Sequence, residues 1–134
     1  MFEGSILENI TLNDYKHNIN KKRLQEAIKI SNLNNFLKKL PGKINYNVGE
    51  NGSRLSGGQK QRVLIAKCIY KNANLIILDE FLSAIDDYNS NSILNSIKKI
   101  KNKTLILILH KYKRLRFADF EIDFNQKKIK TRKV

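Results

Sequence analysis

Apolar positions recur at two different spacings along the chain, and the change of spacing divides it. In residues 21–33, Leu24, Ile28 and Leu33 return every four or five positions, with Ala27 beside them, the stripe of an amphipathic helix. Shorter helices are expected over "SILENI" (5–10) and over "NNFLKKLPG" (34–42), the latter ended by Pro41 and Gly42. "KINYNVGENGSR" (43–54) reads as a glycine-containing loop, and a longer helix begins near Ser56 and runs to about Asn72. Beyond it, "NLIILDE" (74–80) is a short apolar run closed by acid, the pattern of a parallel strand buried on both faces. Ile93, Leu94, Ile97 and Ile100 mark a helix near 89–101, and "TLILILH" (104–110) is a second buried strand. A strand–helix–strand unit of this kind places both strand ends on one edge of the sheet. "ADFEIDF" and "KKIKTRKV" suggest two weaker closing strands. The expected architecture is a helical lobe, residues 1–72, followed by part of an α/β sheet, residues 73–134.

Composition narrows this only a little. A chain of 134 residues suffices for one modest domain with a core, and 41% hydrophobic residues is a globular composition. The longest apolar runs, "LIIL" (75–78) and "LILIL" (105–109), fall far short of the ~20 residues that span a bilayer. No basic-then-apolar leader opens the chain, so it is expected to be neither secreted nor an integral membrane protein. The single Cys68 cannot form an internal disulfide and falls on an apolar helix side, consistent with an inert residue in a reducing compartment.

Lys and Arg number 26 against 12 Asp and Glu, a formal charge of +14. Such an excess favours polyanions, either nucleic acid or an anionic membrane leaflet. The lysines are spread along the chain and not interleaved with aromatics, and only "NQKKIKTRKV" is a concentrated basic block. They read as a solvated surface, and nucleic acid is not the expected partner.

Chemistry concentrates at three places. Ser56-Gly57-Gly58-Gln59 opens the long helix. Ser at the N-cap with Gln three positions on is a capping box. The same residues also suit an anion, because paired glycines bare the first N–H groups and the positive helix end. Both readings stay open. Asp79 and Glu80 end an apolar strand, where open α/β sheets bind ligands. One carboxylate there suits Mg²⁺, and the other suits orienting or deprotonating a water. His110 closes the next strand and would lie on the same sheet edge, able to donate to a phosphate oxygen. A phosphate-gripping chain usually carries G-x-x-x-x-G-K-[ST], and these 134 residues contain none.

Taken in order, these motifs resemble the C-terminal portion of an ATP-binding cassette (ABC) transporter nucleotide-binding domain. "LSGGQ" (55–59) matches the ABC signature letter for letter, with "KQR" continuing as in the family. "LIILDE" (75–80) matches Walker B with the catalytic glutamate, "SAID" (83–86) resembles the D-loop, and His110 stands at the switch-histidine position. "MFEGSILENI" resembles the segment after the family's Q-loop, and "LPGKINYNVGENG" resembles the exporter-type loop before the signature. The implied fold is α/β, a partial P-loop NTPase of the ABC ATPase kind: a helical subdomain plus an incomplete, mainly parallel RecA-like sheet.

The resemblance implies a division of labour. Glu80 and His110 would be catalytic, Asp79 would hold Mg²⁺, and Leu55, Ser56, Gly57, Gly58, Gln59 and Asp86 would contact ATP. The implied partners are a second nucleotide-binding domain, docked head to tail, and an exporter transmembrane domain met through the 48–52 loop; the alternative readings are a nucleic-acid-associated ABC ATPase outside transport and a non-catalytic truncated remnant. The implied location is cytoplasmic, at the inner membrane face. The family's A-loop, Walker A loop and Q-loop glutamine are absent, Phe81 replaces a small residue, and Tyr46 stands where exporters usually carry threonine. Lys111 is kept after the histidine, while "NQKK" replaces the usual turn near the end. In related domains the Walker A strand lies between the strands matching "TLILILH" and "ADFEIDF". Its absence should leave a gap or an exposed apolar edge. Met1 falls inside a family motif, which favours truncation of a longer gene, the alternative being a missing half supplied by a separate polypeptide.

Overall fold

The computed structural model describes residues 1–12, 18–109, 115, 117–123 and 128–131. Helix α1 (Ile6–Thr11) starts at Ser5. The Ser5 Oγ accepts the Glu8 N–H at 3.1 Å, and Glu8 Oε2 accepts the Ser5 N–H at 2.7 Å, so "SILE" is a capping box. Helix α2 (Lys21–Ile30) is shorter than its apolar stripe. The chain turns at Asn32, φ 53, yet Leu33 beyond that turn remains fully buried. Helix α3 (Asn34–Lys39) follows, and two 3-10 turns, Lys43–Asn45 and Glu50–Gly52, occupy the expected loop.

Helix α4 (Gly57–Lys71) ends on Asn72 in the left-handed conformation. There Lys103 Nζ donates to the carbonyls of Asn72 and Ala73, each at 2.9 Å, so a cation meets the negative helix end. α4 is the common wall of two hydrophobic clusters. Val63 and Ala66 face one, with Ile6, Ile10, Ala27 and Leu33. Ile65 faces the other, with Ile76, Leu78, Ile93 and Ile97. Cys68 is half-buried beside the second cluster, and that burial pushes its thiol pKa up, which lowers thiolate reactivity.

Strands β1 (Leu75–Asp79) and β2 (Thr104–Ile108) pair in parallel, with Asp79 opposite Ile108. Between them runs helix α5 (Asp87–Ile97), which stops short of the expected 101. Ile100 still packs on the second cluster from the turn beyond. The expectation of strands covered on both faces is not met. Ile76 and Leu78 are buried, whereas Leu75 and Ile77 are 49% and 55% exposed, and Ile106 and Ile108 are each 44% exposed. α5 and α4 cover one face of this pair, and no described residue buries the other.

Strands β3 (Phe120–Asp123) and β4 (Lys128–Thr131) pair antiparallel in a sheet of their own. They pair despite the altered turn sequence "NQKK" (125–128), of which residues 125–127 lie outside those described. Among the described residues the sheet is thus in two pieces, β1–β2 and β3–β4. No described helix is long and apolar enough to cross a membrane.

Candidate functional site

The tip of α4 carries the first group of expected site residues. Ser56 is extended at the N-cap, where its Oγ accepts the Gln59 N–H at 3.3 Å and Gln59 Oε1 accepts the Ser56 N–H at 2.9 Å. The capping box therefore exists, but it uses only the acceptor side of the Ser56 hydroxyl. The N–H groups of Gly57 and Gly58 belong to the first turn, where no intrahelical acceptor is available. Ser56 and Gly57 are exposed and Gly58 is half-buried. Leu55 is different. It is buried in the first cluster, so its side chain anchors the helix tip.

The glycines answer to packing as well. A Cβ on Gly58 would stand 2.6 Å from the Ala84 carbonyl oxygen, and one on Gly57 would stand 3.3 Å from the Ala84 Cβ. The tip of α4 is thus pressed against the turn that follows Glu80, a third reason for the glycine pair that spacing alone does not reveal.

Asp79 and Glu80 are exposed at the end of β1. Glu80 is left-handed, φ 42, with its N–H bonded to the Ile108 carbonyl at 3.0 Å. Both supply carboxylate oxygens, the hard donors that Mg²⁺ takes along with phosphate and water. No three His, Cys, Asp or Glu side chains cluster among the described residues, and Mg²⁺ in such sites does not require an all-protein cage. His110, expected beside them, lies outside the described residues, as does Lys111.

Asp86 caps α5. Its Oδ1 accepts the Asn89 N–H at 3.0 Å and its Oδ2 accepts from Asn89 Nδ2 at 2.6 Å. These bonds, the backbone one foremost, hold its carboxyl below the usual aspartate range. A carboxylate depressed in the folded state stabilises above its unfolded pKa and ceases to as pH falls through the folded one. Asp86→Ala is therefore expected to lower the melting temperature at pH 7, with the difference from wild type shrinking in strong acid. Melting curves at a series of pH values check this.

Three residues that sequence reasoning left without a role organise this region. Gln61 Nε2 donates to the Glu80 carbonyl at 3.3 Å and to Ser83 Oγ at 2.8 Å, and its Oε1 accepts the Ala84 N–H at 2.9 Å. Arg62 lies 5.7 Å from the Phe36 ring centroid, and its Nη1 donates to the Asn32 carbonyl at 3.1 Å and Asn89 Oδ1 at 3.4 Å. Burial lowers the Arg62 pKa, with Asp86 opposing. Asn89 also accepts from Asn32 Nδ2 at 2.7 Å. A concavity of about 360 Å³ opens here, walled by Phe36, Lys39, Arg62 and Tyr88. The "KQR" after the signature was the only available signal for Gln61 and Arg62.

The ABC transporter family model matches residues 3–83, more than half of the chain. The chain belongs to the ABC transporter family. Among its relatives, the multidrug resistance-like ATP-binding protein MdlA of Buchnera aphidicola is 40% identical over 121 residues, 89% of this chain and 20% of that protein. The ATP-dependent lipid A-core flippase of Saccharophagus degradans is 38% identical over 120 residues, again 89% of this chain and 20% of the relative. A solved bacterial Atm1-family ABC exporter with ATP bound superposes with a TM-score of 0.75 at 31% identity, over 83% of this chain and 19% of that one. The ABC chain described here thus spans about a fifth of the length of these relatives. Its fold is a portion of the ABC ATPase form of the P-loop NTPase fold.

Proposed function

We propose that this chain is the signature-bearing part of an exporter nucleotide-binding domain, and that its α4 tip closes on ATP held by a second such domain. The observation that carries this is the exposed Ser56-Gly57 start of α4, where the Gly57 and Gly58 N–H groups have no intrahelical acceptor, in 134 residues that contain no phosphate loop. A helix N-terminus with bare N–H groups stabilises anions, so Ser56, Gly57, Gly58 and Gln59 would meet the terminal phosphate. Such a tip need not serve nucleotide bound by its own chain.

Glu80 and His110 would act on the nucleotide of their own chain's site, Glu80 by orienting or deprotonating water and His110 by donating to a phosphate oxygen. Asp79 would hold Mg²⁺, which supplies charge neutralisation at the phosphates when bound. Asp86 would contribute from the interface turn. The 1–72 part would be the helical subdomain and 73–134 the ATPase core. The 48–52 loop, with Val48 buried and Glu50 and Asn51 exposed, would meet a transmembrane domain at the cytoplasmic membrane face, coupling ATP hydrolysis to export in the complete protein.

Alone, the 134-residue chain would bind Mg·ATP weakly and hydrolyse none, because two carboxylates face the phosphates without a P-loop lysine or cradling N–H groups. The test mixes it with a hydrolysis-deficient exporter nucleotide-binding domain that carries Walker A. Sedimentation is expected to show a 1:1 complex with Mg·ATP and none without it. Ser56→Arg should abolish the complex. Micromolar Mg·ATP binding by the chain alone would contradict the proposal.

A further inference from the structure

Gln61 sits near the N-terminal end of α4 and reaches across to residues 19 to 23 positions away. All the hydrogen-bonding directions of its amide that matter here are spoken for: nitrogen to the Glu80 carbonyl and Ser83 Oγ, oxygen from the Ala84 N–H. Only an amide side chain offers donor and acceptor together at this length. Glutamate lacks the donor, and lysine lacks the acceptor.

The turn it grips is not an ordinary one. Glu80 holds φ 42, a region that non-glycine residues adopt only when their surroundings enforce it. Glu80 is held through both its flanking peptides: its N–H donates to the Ile108 carbonyl, and its carbonyl accepts from the Ser83 N–H at 2.9 Å and from Gln61 at 3.3 Å. The Gly58 backbone meanwhile leaves no room between α4 and the Ala84 carbonyl. Packing of that kind resists approach but does not pull when the helix withdraws, since dispersion contacts fade within an ångström. Directional bonds act in both senses.

Building on the head-to-tail reading above, we propose that Gln61 is a positioning residue that transmits seating of the α4 tip on a partner's nucleotide to the Glu80 peptide. The aim of Glu80 at its own site then depends on occupancy of the other site. Gln61 itself touches no nucleotide, and its effect runs through the Glu80, Ser83 and Ala84 backbone turn.

The test follows amide hydrogen exchange in the full chain, free and in its ATP-dependent complex with the hydrolysis-deficient Walker A-bearing domain. The reporter is the Glu80 N–H, whose acceptor lies inside the chain at Ile108, so its exchange reports opening of the turn. In wild type, complex formation is expected to slow exchange both at the α4 tip and, by about threefold or more, at Glu80. In Gln61→Ala the tip should still gain protection while the Glu80 response is lost. Gln61→Glu, which keeps an acceptor for the Ala84 N–H but removes both donors, should lose it too. A Glu80 response equal to wild type in both variants overturns the role of Gln61 and leaves the head-to-tail reading standing. Absence of any complex with the wild-type chain overturns both.

Discussion

Ile93→Ala is expected to lower the unfolding free energy of the chain by about 2–5 kcal/mol. Ile93 is fully buried on α5, at the centre of the cluster formed with Ile76, Leu78, Phe81 and Ile97. Removing most of its side chain forfeits both transfer energy and the contacts lining the resulting cavity. A domain of this size has only about 5–15 kcal/mol in hand, and the bare face of β1–β2 leaves apolar area unburied. The change therefore takes a large share of what stability exists. Urea unfolding followed by far-UV circular dichroism measures it, with Tyr88→Ala as the control. Tyr88 is 81% exposed on the same helix, and its loss should stay within about 0.5 kcal/mol. Equal effects at the two positions would show that the second cluster does not hold α5 to the strands.

Gly58→Ala comes next in size and separates two explanations of the glycine pair. In an exposed helix the change would stabilise, since alanine is favoured over glycine by about 1 kcal/mol. Here the new methyl would stand 2.6 Å from the Ala84 carbonyl oxygen, a backbone atom that cannot swing aside. Overpacking of this kind costs about 1–3 kcal/mol, so the net effect is expected to be destabilising. Gly57→Ala, with its methyl 3.3 Å from the Ala84 Cβ, should lie near neutral as the two terms offset. Thermal unfolding of both variants beside wild type decides the matter. Stabilisation by Gly58→Ala would mean that α4 and the Glu80 turn do not meet as described.

The helices were legible where an apolar stripe and a cap agreed. Ser56 with Gln59 announced the start of α4, and Ser5 with Glu8 could have announced α1 by the same rule. The α5 boundary was misplaced because Ile100 keeps the helical spacing while lying in the turn beyond Ile97. The strands were found, but not their surroundings. A continuous apolar run such as "LIIL" is compatible with cover on both faces. The run alone does not show which face is covered: Ile76 and Leu78 are buried, while Leu75 and Ile77 stay exposed.

The candidate site was legible as a set of motifs and illegible as a mechanism. "LSGGQ", "LIILDE" and "SAID" each stood out, yet nothing in their spacing shows that α4 and the Glu80 turn are bolted together. That link is made by Gln61 and by the clearance at Gly58, and both depend on contacts between residues about twenty or more positions apart. Leu55 illustrates the converse. It belongs to the signature by letter, but its apolar side chain goes to the core, as hydrophobic residues generally do.

The most direct test of the central claim is a comparison of ATP with ADP in the mixture of this chain and the hydrolysis-deficient domain. A helix tip that completes a site at the terminal phosphate should be captured with Mg·ATP and released with Mg·ADP, and sedimentation velocity reads the difference. The account predicts a 1:1 complex with ATP only. A complex of equal strength with either nucleotide, or none with ATP, would contradict it.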